Sequence, residues 1–163
     1  QNAAGEINIS FGADKDYDFI KSMDIIIISL GTNDAGGFDN PEWTSEDGML
    51  KFKNHRNYDG TLFSGDTERF SRGAEEFIGH VHEKNPDAYI LWIYGQLGDI
   101  LSPFIRKAVD SFKQKTGFKR ADFLQLPGIT YESEGSREHP GAASHDECAR
   151  LIAETIANKK ILI

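Results

Sequence analysis

Two short polar blocks combine residue types that hydrolytic chemistry uses. Gly31-Thr32-Asn33-Asp34 follows directly on the apolar run Asp24-Ile25-Ile26-Ile27-Ile28-Ser29-Leu30. A side-chain amide at such a place can donate to an oxyanion developing on a substrate, and a neighbouring glycine lets substrate approach the backbone. The same residues also suit a plain strand-ending turn, because Gly, Asn and Asp favour turns. About a hundred residues later comes His139-Pro140, ahead of an amphipathic stretch. A histidine with its ordinary pKa near 6.5 can take and return a proton at neutral pH. A solvated loop histidine before a helix start is the alternative reading of this block.

Other chemistry-bearing residues read more simply. His80 and His82 are two apart on a helical pattern, so at ~100° per residue they diverge and cannot share a metal ion. They are expected to flank the buried stripe on solvated faces. His145 reads as a surface or capping residue of the last helix, and Cys148 as a small core residue on it. Trp43 and Tyr94 could line a sugar site, although Trp43 stands in a loop and Tyr94 could equally be a core residue with a wet hydroxyl. Ser64-Gly65-Asp66 reads as turn and N-cap chemistry at a helix start.

The positioning elements follow from hydrophobic period. Asp24 to Leu30, Ala88 to Tyr94 and, more weakly, Ala121 to Leu126 are continuous apolar runs without alternation, the pattern of parallel strands covered on both faces. Between them, Asp66 to Glu83 places Phe70, Ala74, Phe77, Ile78 and Val81 on one stripe. Pro103 to Lys115 repeats the pattern, with Ser102 as expected N-cap and Gly117 as stop. A last helix follows Gly141, marked by Cys148, Leu151, Ile152, Thr155 and Ile156. Strands alternating with helices predict an α/β fold: a three-layer sandwich with helices on both faces of an open parallel sheet. Ala35 to Leu62 fits neither period and reads as a surface excursion with little regular structure. Loops beyond ~15 residues are usually functional or disordered.

Length and charge bound the rest. The chain has 163 residues, suggesting one domain over 1–163 without a linker. Its net charge of −8 disfavours a non-specific grip on nucleic acid or on an anionic membrane surface. One cysteine excludes an internal disulfide framework and a thiolate zinc cluster. The longest apolar run, Ile25 to Leu30, is far short of the ~20 residues of a membrane span. A soluble chain is expected, with any signal peptide already removed.

Taken together, the strand ending in Gly31-Thr32-Asn33-Asp34 and the later His139-Pro140 step resemble two signature blocks of the SGNH (GDSL-like) hydrolase superfamily, a resemblance that implies its flavodoxin-like parallel sheet, incomplete in this chain. Asp16-Tyr17-Asp18-Phe19, Asn85-Pro86-Asp87-Ala88 and Gly95-Gln96-Leu97 look like carbohydrate esterase family two, acetyl esterases that deacetylate plant polysaccharides such as acetylated xylan. By that resemblance Asn33 is similar to the oxyanion-hole asparagine and His139 to the catalytic histidine, with Gly31 and Asp34 matching the motif near the substrate. The resemblance implies no metal or other cofactor. The superfamily's triad acid stands three residues before the histidine, where this chain has Ser136. Ser136 and Glu138 are the residues nearest to hand for orienting the imidazole. Some enzymes of this type are instead similar to Ser-His dyads in which a backbone carbonyl does so.

The family's nucleophile lies in a Gly-Asp-Ser motif before the Gly-x-Asn-Asp block, and none precedes Gly31 here. The chain therefore reads as the C-terminal portion of a hydrolase. It is expected not to fold autonomously and to need an N-terminal segment, or a second chain, carrying that serine. The expected function is serine ester hydrolysis on acetylated carbohydrate. A lipid or thioester hydrolase with the same residues, and a non-catalytic carbohydrate-binding or scaffold domain, are the alternatives. A polysaccharide substrate fits secretion, with the cytoplasm as the other compartment.

Overall fold

The computed structural model describes residues 23–49 and 51–159. The Asp16–Phe19 block lies outside them. In chain order the elements are β1 (Ile25–Ile28), α1 (Thr32–Gly36), β2 (Trp43–Thr44), β3 (Lys51–Phe52), α2 (Ser64–Lys84), β4 (Tyr89–Tyr94), α3 (Ser102–Thr116), β5 (Ala121–Gln125) and α4 (Ala142–Asn158). A short 3-10 turn, Ser136–Glu138, precedes α4. Among the described residues β1, β4 and β5 form a parallel sheet in the order β1-β4-β5, with Ile25 opposite Tyr89 and Tyr94 opposite Gln125.

The unbroken apolar runs have the expected cause. All six residues of β4 are buried, because helices cover both faces of the sheet. Ile90, Trp92 and Tyr94 face α2 and α3, meeting Ile78, Val81, Ile105, Val109 and Phe112. Tyr89, Leu91 and Ile93 face α4, where Cys148 is buried and Leu151 and Ile152 close the cluster. This is the three-layer α/β sandwich. At the amino end of the sheet, Asp122 accepts from Tyr89 Oη, Lys113 Nζ and Lys159 Nζ at 2.7, 2.9 and 2.6 Å, tying two strands to α3 and α4.

Several local expectations are corrected. The N-cap of α3 is Leu101, and the Ser102 hydroxyl is buried with no partner among the described residues. Ser64 opens α2 after Phe63 without a side-chain cap. His82 is not on a solvated face: it is half-buried, and its ring lies 4.0 Å from that of Phe118. The excursion from 35 to 62 holds more order than expected, with β2 and β3 paired antiparallel and Arg56 bridged to Leu62. Arg56 also grips Asp39 through Nε and Nη2, each at 2.8 Å.

Candidate active site

Past Ile28 the chain must turn off the sheet at once. Trp92 Nε1 donates to the Leu30 carbonyl at 3.0 Å, holding the turn against β4. Gly31 then adopts φ 123°, and its carbonyl accepts from Ala35 N at 2.9 Å, opening α1. A Cβ at Gly31 would stand 3.2 Å from two Tyr94 ring carbons and 3.3 Å from Ile105 Cδ1. Glycine is required twice over, for the backbone angle and for the ring beneath it. Asn33 is exposed on α1, and Asp34 is half-buried beside it. Tyr94 is the core residue of its two readings. Burial pushes its hydroxyl above the ordinary phenol value, against a hydrogen bond from the Leu101 backbone, and the charges of Asp99 and Asp34 add to the rise.

His139 sits on a tightly folded loop. Glu134 bridges Pro140, Gly135 N donates to His139 O at 2.7 Å, and Gly141 N to Ser133 O at 2.9 Å. Within it Arg137 and Glu138 have φ of 57° and 59°, the left-handed region that side chains disfavour. The result places the Arg137 carbonyl 2.7 Å from His139 Nδ1. A carbonyl only accepts, so Nδ1 carries the proton, and in the neutral ring Nε2 keeps the lone pair. The partner of Nδ1 in the structure is thus a backbone carbonyl, and among the described residues no hydrogen bond joins the Ser136 or Glu138 side chain to the ring. The Ser136 carbonyl accepts from His139 N at 3.2 Å.

Both blocks lie at the carboxyl ends of the parallel strands, where open α/β sheets bind ligands. Gly31 rests on Tyr94, the last residue of β4. Two residues on, Gln96 Nε2 donates to Ser144 Oγ in the first turn of α4 at 3.0 Å, and Gln96 O accepts from Ile129 N at 3.2 Å. The end of β4 therefore links the segment bearing Asn33 to the loop and helix that carry His139. Trp43 is exposed on the small hairpin, and His145 is exposed on α4. Among the described residues no cluster of three or more His, Cys, Asp or Glu is placed to hold a metal ion, and no helix is long and apolar enough to cross a membrane.

One cluster escapes sequence reasoning. His55 donates from its backbone N and its ring Nδ1 to Asp66 Oδ2, at 2.7 and 2.9 Å. Arg69 Nη2 donates to Asp66 Oδ1 at 2.7 Å and to Asn54 Oδ1 at 3.3 Å. In the sequence Ser64-Gly65-Asp66 reads only as turn and N-cap chemistry, and nothing in an eleven-residue separation signals that Asp66 pairs with His55.

The chain is similar in structure to an acetyl xylan esterase from the rumen bacterium Butyrivibrio proteoclasticus, at 34% identity and a TM-score of 0.82, covering 87% of this chain and 38% of that one. It shares the fold of an active-site mutant of a family two carbohydrate esterase from Clostridium thermocellum, at 20% identity and TM-score 0.65, covering 90% of this chain and 39% of that one. It also shares the fold of a family two enzyme with a carbohydrate-binding domain from Corynascus thermopiles, at 21% identity and TM-score 0.58, covering 84% and 37%. The chain thus spans about two-fifths of the length of these esterases. No family model and no curated protein sequence matches it. The likeness to carbohydrate esterase family two read from Asn85–Ala88 and Gly95–Leu97, and from the Asp16–Phe19 block outside the described residues, is present in the fold.

Proposed function

We propose that this chain supplies the base and the oxyanion donor of a serine ester hydrolase that removes acetyl groups from a polysaccharide, the nucleophilic serine coming from residues outside these 163. The carrying observation is the 2.7 Å contact of His139 Nδ1 with the Arg137 carbonyl. It leaves Nε2 free to take the serine proton as the hydroxyl attacks the acetyl carbonyl. The Asn33 amide donates to the oxygen that becomes negative in the tetrahedral intermediate. His139 then gives that proton to the departing sugar oxygen, which leaves as a hydroxyl, and water repeats the cycle on the acyl-serine. The similar acetyl xylan esterase supports the substrate class. That substrate fits a protein working outside the cytoplasm.

The edge of β1 supports the reading that a further strand pairs there. Among the described residues β1 pairs on one side only, with β4, and Ile27 is 46% exposed. An upstream strand ending in Gly-Asp-Ser would cover that edge and bring its serine to the strand carboxyl ends. The test is acetate release from acetylated xylan by the protein carrying that segment. Asn33→Ala should lower turnover by about a hundredfold or more, and His139→Ala at least as much. Undiminished turnover in either variant removes that residue from the mechanism. Sugar binding without acetate release would favour a binding domain.

A further inference from the structure

The excursion between α1 and α2 ends in the His55 cluster, which the proposed reaction leaves unused. Its geometry is that of a prepared acceptor. Asp66 Oδ2 takes both the backbone N–H and the Nδ1–H of His55, so the ring cannot turn. The Asp66 side chain is 4% exposed, whereas the imidazole is 60% exposed. Burial pushes the Asp66 carboxyl up, but the bonds from His55 and Arg69 outweigh it and hold the group below the ordinary carboxylate range. An ionised carboxylate only accepts, so Nδ1 carries the proton and the neutral ring turns an Nε2 lone pair to solvent. The Phe63 ring stands edge-on to it, centroids 6.3 Å apart, and is itself 46% exposed. A fixed acceptor beside an exposed aromatic suits a sugar, which offers hydroxyl donors along one edge and an apolar C–H face.

The cluster belongs to the same end of the molecule as Asn33. A Cβ on Gly37, the residue after α1, would stand 2.9 Å from Asn54 Nδ2, and Asn54 is the neighbour of His55 and a partner of Arg69. His55 O also accepts from Phe63 N at 2.9 Å, joining the cluster to the start of α2. The geometry points to a carbohydrate subsite at His55: Nε2 accepts from a hydroxyl of a sugar unit neighbouring the acetylated one, with Phe63 as the apolar wall. This rests on the esterase reading and extends it to how the polysaccharide is recognised.

The readout is a ratio. In the enzyme carrying its nucleophile, kcat/KM is measured on an acetylated xylo-oligosaccharide and on p-nitrophenyl acetate, which has no neighbouring sugar. In His55→Ala the ratio of the first to the second should fall about fivefold or more, mainly through KM, as expected for one lost hydrogen bond to a ligand. His55→Gln, whose amide oxygen offers an acceptor, should recover part of the loss. A ratio that does not fall overturns the subsite, whether both constants hold or drop together. Should the wild type release acetate from neither substrate, the esterase reading fails by itself. Calorimetric titration of the same proteins with unacetylated xylohexaose then decides: binding weakened about fivefold or more by His55→Ala supports the subsite, and equal binding, or none by the wild type, overturns it.

Discussion

Replacing Gly31 by alanine should damage the protein through two separable effects. The first is conformational: at φ 123° an L-residue is strained wherever it is placed, at about 1–3 kcal/mol. The second is steric. The new methyl would press on Tyr94 ring carbons at 3.2 Å and on Ile105 Cδ1 at 3.3 Å. Neither neighbour can recede, since Tyr94 and Ile105 are 5% and 0% exposed in a filled layer. Overpacking of that kind costs about 1–3 kcal/mol. The sum, about 2–6 kcal/mol, is a large share of a domain's stability of roughly 5–15 kcal/mol. Gly98 provides the control, because its φ is 111° but nothing lies within 4 Å of its added Cβ. Gly98→Ala should therefore show the strain alone. The assay is urea unfolding of the wild type and both variants, compared at constant m. If Gly31→Ala loses no more than Gly98→Ala, the close packing of the Gly31 turn on Tyr94 carries no weight and the reason for a glycine there has been misjudged.

Two further predictions test the groups around the histidines. Because a carbonyl orients His139, Ser136→Ala and Glu138→Gln should each lower turnover by less than about tenfold, against the roughly 10⁴ that a triad carboxylate is worth; a loss of a thousandfold in either would show that its side chain holds the ring. Asp66 is held below its ordinary carboxyl value in the folded protein, so its contribution is fully present above the unfolded value of about 3.9 and is lost as pH falls through the folded one. The stability gap between wild type and Asp66→Asn, read from unfolding midpoints, should thus be constant from about pH 7 to 5 and close as pH drops below about 4; a gap unchanged down to pH 3 would mean that the charge of Asp66 is not what anchors His55.

How much of this was legible in the residues depends on what each feature is made of. β4 was readable because burial on two faces demands an unbroken apolar run, β1 because it carries the same run although its Ile27 is 46% exposed, and α2, α3 and α4 because one covered face demands a stripe. The shorter elements, α1 with five residues and the two-residue strands β2 and β3, are too short to show a period, and Thr32–Gly36 had the composition of a turn. Ser102 has the chemistry of a cap but is one residue too late, since the helix had already begun from Leu101. The site divided along the same line. Asn33 and His139 stand out in the sequence as candidate side chains in a recognisable order, but the partner of His139 is a main-chain carbonyl, which every residue carries and none advertises. The His55 to Asp66 bond joins an irregular loop to a helix start, where no repeat sets the spacing.

In their neutral form both imidazoles have the Nε2 lone pair left by a proton on Nδ1, and by partner chemistry alone His55, with a carboxylate behind it, looks more like the base of a triad. The surroundings argue the other way. The role of a triad carboxylate is to stabilise the imidazolium formed in the reaction. Asp66 already balances Arg69 at 2.7 Å, so much of its charge is neutralised before His55 could gain a proton. The loop of His139 carries the opposite signature. Consecutive left-handed residues with side chains, Arg137 and Glu138, cost about 1–2 kcal/mol each. Strain of that kind persists where the surrounding structure over-determines it, typically at functional sites. Here what it achieves is visible: without the turn at Arg137, no carbonyl would lie 2.7 Å from Nδ1. A loop that accepts strain to fix one tautomer of one ring supports the base at His139, and a ring fixed without strain on a neutralised carboxylate supports binding at His55.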